Sequence, residues 1–147
     1  MGFTVTSPAF ADGQSVPKQF TCDGNDVPPE MIVSEPPEGT KSFAIIMDDS
    51  DAPTGTFTHW LAYDIPSDRN ALRDTAGKTL KNDFGRPGYG GPCPPPGHGS
   101  HRYCFTVYAV DVPSLDVRGR SRSDLEAVLE AHTLGKARFT GRYERAR

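Results

Sequence analysis

With 147 residues, 16 basic and 19 acidic side chains and a formal net charge of -3, the chain suits one domain, residues 1–147, large enough to fold on its own core. Interspersed rather than blocked charge excludes the electrostatic footprint of a duplex nucleic-acid binder. No apolar run approaches the roughly 20 residues that cross a bilayer, and no basic-then-apolar leader follows Met1, so a cytoplasmic protein without a membrane span is expected.

Fifteen glycines and 14 prolines are spread along the whole chain, which implies short strands separated by many turns and bulges. In chain order, strands are predicted at residues 3–6, 16–20, 42–47, 56–65, 102–110 and 137–143, each rich in β-branched or aromatic residues and bounded by turn signals. The expected fold is all-β, a sandwich or barrel with Pro/Gly-rich loops and one short helix near the C-terminus. Along 102–110 both alternating sets are largely apolar, as in a central strand covered on both sides. The helix is predicted from a capping box at Ser123 and Glu126, with Leu125, Val128, Leu129 and His132 on one face and Gly135 as its left-handed terminator. His132 reads as a helix-end residue favoured by the C-terminal dipole rather than as a ligand.

Cys22, Cys93 and Cys104 are odd in number and widely spaced, with no CxxC pair. Reduced thiols are expected, with a Cys22–Cys93 bridge as the alternative and Cys104 as a small core residue.

Two segments carry the chemistry. Asp48, Asp49 and Asp51 follow the apolar FAIIM run directly, so a strand ends in crowded carboxylates that need relief from backbone amides, an arginine such as Arg102, a cation or a retained proton. His59 lies within the strand-like TFTHWLAYDI and belongs in the interior, where an imidazole must find partners. His101 opens another strand after a loop that cannot be helical, since Pro92, Pro94, Pro95 and Pro96 fix φ and remove amide donors. Such a loop makes a rigid wall.

These segments, with SPAFADG at Ser7, TCDGNDVPPE at Thr21, PPEGTKSFAIIMDDSDAP from Pro36, THWLAYDIP from Thr58, GPCPPPGHGSHRYCFTVYAVD from Gly91 and the closing FTGRYER, resemble the phosphatidylethanolamine-binding protein family, in its bacterial and archaeal Raf-kinase-inhibitor-like branch. The resemblance implies a β-sandwich of two mainly antiparallel sheets with a small anion pocket at one end, lined by Asp49, Asp51, His59, Pro95, His101 and Tyr103, for a small anionic or phosphorylated ligand. It also implies a homodimer and a protein partner such as a kinase or protease as further expectations. Ser50 and Val33 stand where the family commonly has Pro and Trp, which implies a looser turn and a smaller wall near the pocket mouth. No cofactor and no catalytic motif is expected: there is no GxSxG elbow, and Cys93 beside His98 is only a nominal Cys/His pair. The alternative reading is a metal-dependent hydrolase assembled from His59, His98, His101 and the aspartates.

Overall fold

The computed structural model describes residues 2–53, 55–67, 71–72 and 77–146. Its strands are β1 (Thr4–Thr6), β2 (Met31–Ser34), β3 (Ser42–Asp49), β4 (Phe57–Pro66), β5 (Ala71–Leu72), β6 (Lys78–Leu80), β7 (His101–Val110) and β8 (Thr133–Tyr143), with one α-helix, α1 (Arg122–His132). Alternation along β3 divides the interior in two. Phe43, Ile45 and Met47 face a core shared with Trp60, Phe105, Val107 and Phe139, while Ala44 and Ile46 face a second cluster with Leu61, Val110, Leu125 and Leu129 of α1. A strand buried on both faces reads as a continuous apolar run, which is what FAIIM is.

β3 is the middle of a five-stranded sheet ordered β6-β4-β3-β7-β8, and a three-stranded sheet ordered β1-β2-β5 supplies Val5, Met31, Val33 and Leu72 to the first core. All the pairings between these strands are antiparallel. The chain therefore forms the expected all-β sandwich with one helix near its C-terminus, α1 covering the outer face of the larger sheet. Among the described residues no helix is long and apolar enough to cross a membrane.

Local departures from the expected elements have physical causes. Residues 16–20 do not form a strand: Pro17 has no amide to donate, its carbonyl instead accepts from Phe20 at 3.0 Å, and Lys18–Phe20 close into a 3-10 turn. β2 was not anticipated; its MIVS alternates buried and exposed side chains between two proline pairs. The helix is capped one frame earlier than expected. Ser121 Oγ accepts from the Asp124 amide at 3.1 Å and Asp124 Oδ2 accepts from the Ser121 amide at 3.0 Å, a capping box that brings Arg122 into the first turn. Gly135 does not end the helix. Thr133 Oγ1 donates to the Leu129 carbonyl at 2.6 Å, satisfying a terminal acceptor without a left-handed residue, and Gly135 pairs with Ala109 inside β8. His132 does sit at the helix end, Nδ1 at 2.8 Å from Asp111 Oδ1. Val33 packs in the core against the β1 register rather than beside a pocket, so its small size alters sheet packing.

Asp48, at the β3 end, faces α1. Its carboxylate takes both terminal nitrogens of Arg122, Nη2 at 2.9 Å, and Arg122 Nη1 also donates to Thr58 Oγ1 at 2.9 Å. This bidentate clamp joins the helix to the strand ends that carry the site. Arg122→Ala is expected to lower stability by about 1–3 kcal/mol, the loss for a half-buried ion pair broken on one side, with Arg122→Lys recovering only part; the denaturant midpoint of each variant measures it.

Candidate functional site

Three strand ends meet at one edge of the larger sheet: the end of β3 and the starts of β4 and β7. Register places Asp49 between Tyr103 of β7 and Phe57 of β4. In β7, His101 and Tyr103 share the inner face with Phe105 by simple alternation. His59 arrives differently. Pairing passes from Met47↔Trp60 to Asp48↔Thr58, so His59 is the extra residue of a β-bulge. The bulge turns Thr58 outward to Arg122 and leaves His59 and Trp60, consecutive in sequence, both facing inward.

The result is a cavity of about 260 Å³ lined by Asp49, His59, His101 and Tyr103, with apolar walls from Phe57, Phe84 and Pro94 and a rim that includes Ala52, Pro53, Cys93 and Pro95. Asp49 and His59 are each 3% exposed, His101 2% and Tyr103 0%. Such burial requires partners. Asp49 Oδ2 accepts from His101 Nδ1 at 2.7 Å and Asp49 Oδ1 from the Asp51 amide at 2.8 Å. His59 Nδ1 lies 2.7 Å from the Gly90 carbonyl, while the Gly90 amide donates to the His59 carbonyl at 2.9 Å. A carbonyl only accepts, so Nδ1 carries the hydrogen and Nε2 is the acceptor of the neutral ring. Burial pushes the His59 basicity below the ordinary histidine value, against the raising influence of Gly90 and Asp49, and keeps that ring neutral near neutrality. The Tyr103 hydroxyl lies toward Asp49 and the Cys93 backbone but completes no hydrogen bond of good geometry with the described residues; burial first, then the charge of Asp49, pushes its pKa far up, so it remains a donor.

The structure thus brings Asp49, His59, Pro95, His101 and Tyr103 around one cavity and leaves Asp51 out of it. Asp51 turns to an adjoining open hollow with His98, Ser100 and Arg142, where Arg102 grips it through Nε and Nη2, both at 3.0 Å, and through its amide at 2.9 Å. These bonds hold the Asp51 carboxyl at about 2. Phe57 and Phe84 were missed; aromatic residues near turns carry no signal that they wall a cavity, and Phe84 lies 25 positions after His59. The metal-dependent alternative finds no support in the donor geometry: among the described residues no group of three or more His, Cys, Asp or Glu is placed to hold a metal ion.

The expectation of reduced thiols is corrected. Cys22 and Cys93 form a disulfide, with Cα atoms 5.4 Å apart, because the two loops pack backbone to backbone: the Cys22 amide donates to the Pro92 carbonyl at 3.1 Å and the Gly91 amide to Asp26 Oδ1 at 2.8 Å. A side chain on Gly91 would collide with the Phe20 carbonyl and Asp26, so only glycine allows this approach. The bridge removes the reason for expecting a reducing compartment. Cys104 is free and half-buried.

A family model described as phosphatidylethanolamine-binding protein matches residues 6–144. A UPF0098 protein of Aquifex aeolicus is 49% identical over 150 residues, covering 96% of this chain and 88% of that protein. The crystal structure of a phosphatidylethanolamine-binding protein homologue from Chlamydia trachomatis superposes with a TM-score of 0.89 at 31% identity, covering 98% of both chains. E. coli YbcL, described as a new member of the mammalian family, superposes with a TM-score of 0.88 at 31% identity over 98% of this chain and 99% of that one. The chain belongs to the phosphatidylethanolamine-binding protein family.

Replacing both bridged cysteines by serine is expected to cost about 2–4 kcal/mol in chemical denaturation, since the bridge closes a long loop in the unfolded chain. In Arg102→Ala the Asp51 carboxyl loses the guanidinium but keeps the amide of residue 102, so it is expected to titrate above about 2 yet still below the ordinary carboxylate value. The sign follows from a depressed folded value: the contribution of the pair is present above the ordinary carboxylate pKa and lost as pH falls toward about 2. Carbon-13 NMR of the carboxyl group reads both.

Proposed function

We propose that this protein binds a small ligand with a phosphate-type group in the cavity between His59, His101 and Tyr103. The observation that supports the reading is the convergence of four buried polar side chains in one apolar-walled cavity, one of them a hydroxyl that completes no hydrogen bond of good geometry with the described residues. Tyr103 offers a donor to a ligand oxygen. His59 Nε2 and Asp49 offer acceptors, which suits a ligand that presents an oxyanion together with an amine or a hydroxyl close by. Phosphorylethanolamine and monohydrogen phosphate both have that character, and the Phe57, Phe84 and Pro94 walls exclude water from the contact.

Titration calorimetry with phosphorylethanolamine tests the reading. Tyr103→Phe removes a buried hydroxyl that completes no good hydrogen bond with the described residues of the free protein, so its stability is expected to hold or rise, while affinity falls by about tenfold through the lost bond to the ligand. Wild-type protein that takes up no ligand at millimolar concentration, or a Tyr103→Phe variant that binds equally well, sinks the proposal.

A further inference from the structure

Asp49, His101 and His98 form an unbroken line of hydrogen bonds from the cavity wall to the surface. Beyond the Asp49–His101 bond, His101 Nε2 lies 2.7 Å from His98 Nδ1, and His98 stands exposed on the Pro-rich loop. One hydrogen must occupy the bond between the rings, since two bare nitrogens repel and two N–H groups collide. His101 Nδ1–H is committed to Asp49. The pair is therefore neutral when His98 Nδ1–H donates to His101 Nε2 and His98 Nε2 is bare. When a proton from water or buffer joins His98 Nε2, the shared hydrogen needs only to cross from His98 Nδ1 to His101 Nε2. The positive charge then rests on His101 against Asp49, with His98 Nδ1 accepting from it; no other bond changes.

An anion in the cavity needs that charge. Ionised Asp49 lies in the wall and repels a phosphate-type group in a site of low dielectric, and an imidazolium hydrogen-bonded to it cancels the repulsion. His59 is poorly placed to supply it, because its one N–H is taken by the Gly90 carbonyl and its burial disfavours the cation. The other charges facing the pair are Asp51 in the turn after β3, Arg102 on β7 and Arg142 on β8. Arg102 is matched by Asp51, and Arg142 is drawn to the Gly13 carbonyl through Nε at 2.9 Å.

We infer that His98 is a positioning residue of the cavity: by accepting from His101 Nε2 it lets His101 take up the proton that an anionic ligand requires. The inference rests on the proposed anion site and deepens it, adding a residue outside the cavity and a proton to the binding reaction.

The probe is glycerophosphorylethanolamine, whose phosphodiester stays singly ionised across the histidine range, so any proton taken up belongs to the protein. Calorimetry in buffers of different ionisation enthalpy is expected to show uptake of about one proton per ligand, with affinity rising up to about tenfold per unit as pH falls. His98→Leu removes the acceptor and is expected to abolish the uptake and flatten the pH profile; His98→Asn, whose amide oxygen can accept, is expected to restore both in part. Nitrogen-15 NMR of the bound wild-type protein is expected to show both His101 nitrogens protonated and only one in His59. Binding without proton uptake, uptake unchanged in His98→Leu, or a cationic His59 beside a neutral His101 overturns the inference while leaving the pocket intact. Failure of the wild type to bind the probe at any pH between about 5 and 8 removes the anion site and this inference with it.

Discussion

A carboxylate and an imidazole that are both almost fully buried can coexist only because they face each other. Taken singly, Asp49 in the sandwich interior would bear a desolvation cost of several kcal/mol, and so would a charged His101. The 2.7 Å bond between them, with the Asp51 amide on the second carboxylate oxygen, offsets that cost and fixes the carboxylate in one orientation. It also determines which nitrogen of His101 carries hydrogen toward β3, and hence which nitrogen reaches out to His98. The polar end of the cavity is built on this bond.

Three acidic residues within four positions would repel one another if they shared a face. The fold separates them instead, sending each to a different partner. Alternation sends Asp48 to Arg122 of the helix and Asp49 to His101 of the inner face, and the turn then carries Asp51 out to Arg102 on the surface. Crowding in the sequence becomes three separate hydrogen-bonded pairs in space. Only the inner one borders the cavity, which is why the cavity holds one carboxylate rather than two.

The apolar side of the cavity depends on loops with little regular structure, and these are held by specific ties. The Cys22–Cys93 bridge, the Cys22 amide on Pro92, and the Gly97 amide on the Arg145 carbonyl at 2.8 Å fasten the Pro-rich segment at both ends. Prolines restrict φ in a stretch that has few donors to satisfy. The wall is thereby rigid without belonging to either sheet, and a preformed cavity avoids the entropy of ordering a loop when a ligand enters.

Periodicity and residue chemistry were enough to mark the β-rich class, the doubly buried β7 and the common face of Tyr103 and Phe105, because a strand's two-residue repeat is written in the chain itself; the sandwich and the gathering of Asp49, His59, His101 and Tyr103 followed from the family resemblance. Residue chemistry also marked Arg102 as relief for a carboxylate, and the rigid character of the loop after Gly91. Other features belonged to the tertiary structure alone. His59 reaches the cavity through a bulge, whereas strict alternation from Trp60 and Ala62 would have sent it to the helix face. The helix cap was decided between two frames two residues apart, the earlier one bringing Arg122 into reach of Asp48. Cys22 and Cys93, 71 residues apart, join because Gly91 lets two backbones touch, and His98 meets His101 because the loop turns back on itself. Local patterning specifies which way a side chain points from its own strand; register shifts, loop contacts and pairings between distant segments depend on energies that exist only once the chain has closed on itself.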